Sequence, residues 1–277
     1  MNGATAQDGP ALLEGFARIA LDAGERIMAI YSGAAPVGAT AKADGSPLTQ
    51  ADLAADAAIA AGLAALCPDI PVLSEEGADG AAASPLGRRF ILVDPLDGTR
   101  EFLSRTDEFT VNIALIEDGR PVLGVVHAPA LRRLWLGDVA AGRAERREIG
   151  APQAGHPIHA RPVPDRDLVA VASRSHRDAE TDAFLARLPV AGCRSIGSSL
   201  KFCLVAEGEA DVYPRFGPTM EWDTAAGHAV LVAAGGRVTA PDGGEFRYGK
   251  REEGFRNGPF IAWGGGGPPA SQGAPTI

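Results

Sequence analysis

Apolar residues Leu12, Leu13, Phe16, Ile19, Ala20, Ala23, Ile27 and Ile30 recur every three or four positions. That is the period of a helix with one buried face, and Gly33 supplies a stop. An alanine-rich stretch from about Thr49 to Ala65 reads as a second helix, with Thr49 and Asp52 placed like a capping box at its start. The loop between them contains Lys42 to Pro47. The pattern then changes to short apolar runs and period-two alternation: Pro71-Val72-Leu73, Phe90-Ile91-Leu92-Val93 and Phe109–Glu117. An Asp118-Gly119 hairpin turn follows, with the return strand Pro121–Ala128 and a further strand at Leu134–Asp138.

Prolines at 152, 157, 162 and 164 mark residues 150–167 as a junction. Beyond it, strands at Leu168–Ala172, Arg194–Ile196 and Asp211–Tyr213 alternate with helices. These helices run over about Asp178–Leu188, from about Ser199, and over Asp223–Ala234. The pattern predicts an α/β (α+β) protein. Its parts are an N-terminal α+β half over residues 1–160, a C-terminal α/β half over 161–263, and a disordered Gly/Pro tail over 264–277.

Composition narrows the function. A net charge of −9 over 277 residues argues against a nucleic-acid polymer as partner and against a polybasic membrane patch, but leaves small nucleotides open. Cys67, Cys193 and Cys203 lack metal-ligand spacing, and their apolar neighbours suggest reduced core thiols in a cytoplasmic compartment. No transmembrane run or signal peptide is expected. Oligomeric state is not legible in the sequence.

The chemistry concentrates in Asp94-Pro95-Leu96-Asp97-Gly98-Thr99. The preceding run reads as a buried strand that Pro95 stops by removing a ladder donor. Asp94 and Asp97 are then two hard oxygen ligands at a strand end, suited to Mg²⁺ with waters and a substrate phosphate. Gly98 would let backbone amides approach an anion, and Thr99 could orient a water. The competing reading is a plain strand-ending turn. An aspartyl-phosphate mechanism on D-x-D-G-T is excluded by Pro95 and Thr99, so the nucleophile is expected to be water. Glu75 and Glu76 end the Pro71–Leu73 strand, a neighbour of the Asp94 strand if the two share a sheet. Asp223 stands at a helix start, either as an N-cap or as a ligand, with Ala225, Ala226 and Gly227 allowing close packing behind it. His228 is expected in the core.

Leu73-Ser74-Glu75-Glu76-Gly77, the residues Asp94 to Phe102, and Trp222-Asp223-Thr224-Ala225-Ala226-Gly227 resemble the inositol monophosphatase family in type and order. The resemblance covers the chain to about residue 263. It implies a layered αβαβα sandwich and a Mg²⁺-dependent, lithium-sensitive phosphatase using two or three ions. By the same resemblance, Glu75, Asp94 and the Leu96 carbonyl would hold one Mg²⁺, and Asp94, Asp97 and Asp223 a second. Thr99, aligned by Asp52, would orient the attacking water with help from Glu75. The substrate phosphate would meet Glu75, Leu96, Asp97, Gly98, Thr99 and Asp223, with the Gly98 and Thr99 amides facing it.

Three further segments resemble the bacterial 3′(2′),5′-bisphosphate nucleotidase branch of that family: Ser173 to His176, Ser195 to Cys203, and Tyr213 to Pro218. They imply Lys201 and Arg215 as partners of a 5′-phosphate. Ser198 and Ser199 would contact phosphate or ribose, and Arg174 and His176 would line the nucleotide edge. The implied reaction converts adenosine 3′,5′-bisphosphate, a by-product of sulfate assimilation, to AMP and phosphate, with the sulfated nucleotide as a further substrate. An inositol or sugar phosphatase and a catalytically dead nucleotide sensor stand as alternatives. Peripheral association with the cytoplasmic face of the inner membrane stays open.

Overall fold

The computed structural model describes residues 9–33, 37–41, 47–77, 86–151 and 155–268. Helix α1 (Gly9–Tyr31) ends as its periodicity predicts, with Gly33 at φ 84° and its N–H on the Ile30 carbonyl. A two-strand ribbon, β1 (Thr40–Ala41) with β2 (Pro47–Leu48), leads into α2 (Gln50–Leu66). The loop residues Lys42 to Ser46 lie outside the described residues. Asp52 Oδ2 accepts the Thr49 N–H at 2.7 Å and the Thr49 hydroxyl at 2.6 Å, so the capping box is present and fixes the carboxylate.

Seven strands form the first sheet, in chain order: β3 (Val72–Ser74), β4 (Arg89–Asp97), β5 (Thr110–Glu117), β6 (Arg120–Ala128), β7 (Arg133–Asp138), β8 (Arg143–Glu148) and β9 (His156–Pro157). Strand β3 is parallel to β4, as the shared-sheet reading requires, and the other pairs are antiparallel. A short helix α3 (Thr99–Leu103) follows β4. The remaining elements are β10 (Leu168–Ser173), α4 (Ala179–Leu185), β11 (Val190–Ile196), α5 (Leu200–Ala206), β12 (Val212–Arg215), β13 (Thr219–Met220), α6 (Glu221–Ala233), β14 (Arg237–Thr239), β15 (Arg256–Asn257) and β16 (Phe260–Trp263). A second sheet has the order β11-β10-β12-β16-β14, and β13 pairs with β15.

Side-chain alternation along the first sheet sorts its residues into two cores. Ile91, Val93, Ile113, Leu115, Val125 and Leu136 pack under α1 and α2. Phe90, Leu92, Ile116, Val126 and Trp135 face the other way, into a layer made by α5 and α6. That layer in turn covers Val171, Tyr213 and Phe260 of the second sheet, whose far side carries Leu168, Val212 and Ile261 against Phe184 and Leu185 of α4. The layers are therefore α, β, α, β, α, as the family resemblance implies. Helix α6 lies hard against the first sheet: a Cβ on Gly124 would meet the Ala226 carbonyl at 2.4 Å, and one on Gly137 would meet Val230 Cα at 2.6 Å. Gly227 gives the same close approach to Phe202 of α5, the packing expected of this run of small residues.

Three expectations need correction. Pro95 does not stop β4; the strand continues to Asp97 through a bulge, because a residue without an N–H can be skipped by the ladder. Cys193 is exposed on β11 rather than in the core, while Cys203 is buried and Cys67 half-buried. The start of the tail is ordered: Gly265 bridges Pro162, and Gly264 donates to the Asp211 carbonyl and approaches the Arg161 carbonyl more closely than a Cβ would allow. Residues 269–277 lie outside the described residues.

Candidate active site

The β4 bulge creates the site. Asp94 pairs with Asn112 and Asp97 with Thr110, so Pro95 and Leu96 together oppose one residue of β5. In a regular strand, residues three apart point to opposite faces. Here the extra residue puts Asp97 on the same face as Asp94, toward the α5 and α6 layer. Asp97 Oδ2 accepts from Thr110 Oγ1 and Asn112 Nδ2, each at 3.4 Å. The Ser199 hydroxyl accepts from Asn112 Nδ2 at 3.0 Å and shares its proton between Asp97 Oδ2 (3.0 Å) and the Asp223 carbonyl (2.8 Å). One buried serine thus ties β4, β5 and the start of α6 together.

Asp223 is the third residue of α6, two places further in than the sequence suggests. Its Oδ2 caps the Met220 N–H at 2.8 Å. The N-cap is Met220 rather than Asp223, and the oxygen of Asp223 that does not accept the cap's N–H is left for a ligand. Asp94 Oδ1 accepts the Leu96 N–H at 3.1 Å, shaping the bulge. Thr99 Oγ1 lies 3.3 Å from both Asp52 Oδ1 and the Leu96 carbonyl. Gly98, at φ 93°, stands where a side chain would press on the Glu108 carbonyl.

Glu75, Asp94, Leu96, Asp97, Gly98, Thr99 and Asp223 all line one cleft of about 420 Å³, together with Ser198, Lys201, Arg215 and His176. A larger groove between α1 and α2, about 810 Å³, has alanines and Gly62 along α2 and lies away from these acids. Asp97 and Asp223 reach the cleft surface but are otherwise hemmed in by protein. Desolvation raises both carboxyl pKa values, Asp223 well above the usual range with the Asp97 charge as its second cause. Lys201 and Glu101 are the nearby charges on Asp97, acting in opposite directions. Among the described residues no three His, Cys, Asp or Glu side chains already close on a point. Acids that push one another toward protonation are what a divalent cation would relieve, so the donor set fits such an ion.

Two buried cations stand beside the acids. Lys201 is 4% exposed and Arg215 7%. Lys201 Nζ donates to the Ile196 carbonyl at 3.4 Å and to that of Ser198. The Arg215 guanidinium donates to the carbonyls of Gly217 (3.1 Å), His176 (3.2 Å) and Pro218 (2.9 Å). Among the described residues neither forms an ion pair with a carboxylate. Burial lowers the Lys201 pKa to about 8, against the opposing pull of Asp97.

Arg174 departs from its expected place. It forms a two-pronged ion pair with Glu108 (2.6 and 3.0 Å) and does not line the cleft. His228, as expected, is a buried residue bonded to the Tyr248 hydroxyl at 3.0 Å. Arg100, Glu101 and Arg256 line the cleft without having been anticipated. Asn112 was also missed. Its signal is a polar residue at a strand position that the layering covers with a helix.

This fold and this cleft define a class, and the chain belongs to the inositol monophosphatase family, whose model matches residues 12–261. Proteins of this kind are generally metal-dependent phosphatases. Within that family the chain is 49% identical over 249 residues to the 3′(2′),5′-bisphosphate nucleotidase CysQ of Escherichia coli strain K12, covering 88% of this chain and 98% of the relative. The crystal structure of CysQ from Bacteroides thetaiotaomicron superposes with a TM-score of 0.75 at 39% identity, covering 92% of this chain and 97% of that one. An inositol monophosphatase from Zymomonas mobilis gives a TM-score of 0.72 at 27% identity, covering 96% and 95%.

Proposed function

We propose that this protein is a Mg²⁺-dependent 3′(2′),5′-bisphosphate nucleotidase that hydrolyses adenosine 3′,5′-bisphosphate to AMP and phosphate, and also accepts the sulfated nucleotide. The observation that carries the reading is the pairing, in one cleft, of an acid cluster with two buried cations that hydrogen-bond to carbonyls and, among the described residues, form no ion pair with a carboxylate. Buried positive charge without a carboxylate partner is costly unless an anion arrives. A substrate with a second phosphate supplies that anion, and relatives near half identity carry the nucleotidase name.

In this reading Glu75, Asp94, Asp97, Asp223 and the Leu96 carbonyl would hold two Mg²⁺. Bound Mg²⁺ lowers the pKa of a water and polarises the phosphoryl oxygens. Asp52, fixed by Thr49, draws the Thr99 proton toward itself and leaves a Thr99 lone pair to orient the attacking water. Glu75, which lines the same cleft, assists that placement. The Gly98 and Thr99 amides face the phosphate, and α3 begins there, so its first-turn donors point the same way. Water attacks phosphorus and gives up a proton, the bond to the 3′ oxygen breaks, and that oxygen takes up a proton in balance, with no covalent enzyme intermediate. Lys201 and Arg215 grip the 5′-phosphate, with Ser198 beside them and His176 at the rim.

The metal-binding half is residues 1–160. Residues 161–263 complete the nucleotide site and lend Asp223. The three free thiols fit a reducing cytoplasm. No helix among the described residues is long and apolar enough to cross a membrane. Phosphate release from adenosine 3′,5′-bisphosphate is expected to need Mg²⁺, to vanish on chelation and to return when Mg²⁺ is restored. Full turnover in excess chelator would overturn the metal-dependent mechanism.

A further inference from the structure

The segment Ser195–Lys201 carries the second-phosphate side of the cleft, and one residue from the connection between α3 and β5 holds it. Glu108 Oε2 accepts the Gly197 N–H at 2.7 Å and Arg174 Nε at 3.0 Å, while Oε1 accepts Arg174 Nη2 at 2.6 Å. Arg174 also donates to the Ser195 carbonyl at 3.1 Å, so the clamp grips the turn at both 195 and 197. The backbones themselves converge at this point. A Cβ on Gly197 would meet the Glu108 carbonyl at 2.8 Å, and one on Gly98 would meet that carbonyl at 3.0 Å and Ser198 Cβ at 3.4 Å.

The base of the clamp is rigid. Phe109, the next residue, is fully buried in an aromatic trio with Tyr31 and Phe102, ring centroids 4.8 to 5.3 Å apart. Asp107 accepts the Tyr31 hydroxyl at 2.7 Å. The turn itself is strained: Ser198 sits at φ 49°, and its hydroxyl is buried without a partner while lining the cleft. A non-glycine residue held in that region must be fixed by its surroundings, and the same turn supplies the carbonyl that receives Lys201.

We propose that Glu108 is a positioning residue that sets the distance between the two phosphate subsites. It fixes the Ser195–Ser199 turn, and with it Ser198 and Lys201, against the Gly98 turn that faces the reacting phosphate. The inference rests on the bisphosphate reading. It assigns to Glu108 and Arg174 the anchoring of that subsite, in place of the direct substrate contact expected of Arg174.

The test compares wild type, Glu108→Ala and Glu108→Gln on adenosine 3′,5′-bisphosphate and on 3′-AMP, which lacks the second phosphate. kcat and KM are measured separately, alongside thermal melting in Mg²⁺. Glu108→Ala is expected to raise KM for the bisphosphate by about tenfold to hundredfold, the scale of a misplaced binding group. Its kcat, and all constants for 3′-AMP, should stay within about threefold. Glu108→Gln keeps an acceptor for Gly197 but loses the ion pair, and should fall between. If Glu108→Ala does not fold, Glu108→Gln decides by the same split. Equal losses on both substrates, or none on either, would overturn the proposal. A wild type that does not prefer the bisphosphate over 3′-AMP would instead overturn the functional reading on which it rests.

Discussion

Asp97→Asn is expected to lower kcat/KM by about a thousandfold or more, since it removes a ligand oxygen from the proposed metal pair, whereas loss of outer partners alone costs about ten- to a hundredfold. The same substitution should leave the metal-free protein at least as stable as wild type. The Asp97 carboxyl has a raised pKa in the folded state, chiefly through desolvation. A folded carboxyl with a raised pKa binds its proton more tightly than the unfolded one, so stability falls as pH rises from the unfolded value through the folded one. Above that window the ionised group is a net cost, and a neutral amide removes it while retaining an oxygen for Ser199 and Asn112. Melting curves with and without Mg²⁺ should therefore diverge. The ion stabilises wild type strongly and the variant weakly. A variant that melts lower without metal and keeps its activity would contradict the two-metal account.

Lys201→Met should have the second largest effect, and on specificity rather than on chemistry. Methionine keeps an unbranched chain, so the buried position stays filled, while the charge and its donors to the Ile196 and Ser198 carbonyls are lost. Loss of one charge-assisted contact to the 5′-phosphate is expected to reduce kcat/KM for the bisphosphate by roughly ten- to a hundredfold, mainly through KM. Hydrolysis of 3′-AMP should change little. Arg215 is the less clean probe, because its three carbonyl contacts also shape the 176 and 217–218 loops. The pH profile adds a second signature. With its pKa lowered to about 8 by burial, Lys201 in the free enzyme loses its charge as pH rises through that value. KM of wild type for the bisphosphate should climb there, while the methionine variant stays flat over the same range. Parallel pH profiles for the two proteins would remove Lys201 from the phosphate subsite.

The motifs that announce the site in the sequence are local ones. Asp94 to Thr99 span one strand end and the start of the next helix, and Thr49 with Asp52 form a capping box whose geometry is set by three residues of chain. Helix and strand periods were legible for the same reason. What escaped is what depends on distant segments. Pro95 looks like a terminator in isolation, yet β5 has a run long enough to pair on both sides of it, and the resulting bulge is what aligns Asp97 with Asp94. Alternation in Phe109–Glu117 suggests a half-exposed strand, but helices cover both faces, so Asn112 becomes a buried partner of Asp97. Strand β8, Arg-Ala-Glu-Arg-Arg-Glu, carries no apolar signal because ion pairs of Arg147 with Glu14 on one face and of Arg146 with Glu207 on the other hold it in place. Arg174 resembles a substrate contact by its motif, and only the fold brings Glu108 to it. The glycines after Trp263 look like a tail by composition, though their lack of a side chain is what lets the chain pass against Arg161.

The central claim is that one cleft carries both a metal-dependent phosphatase centre and a second anion subsite. The most direct test is phosphate release in Mg²⁺ from adenosine 3′,5′-bisphosphate against inositol 1-phosphate, each with and without lithium. The account predicts a kcat/KM for the nucleotide higher by about tenfold or more, the least that one charge-assisted contact should give, and inhibition by lithium. Equal rates, or preference for inositol 1-phosphate, would contradict it.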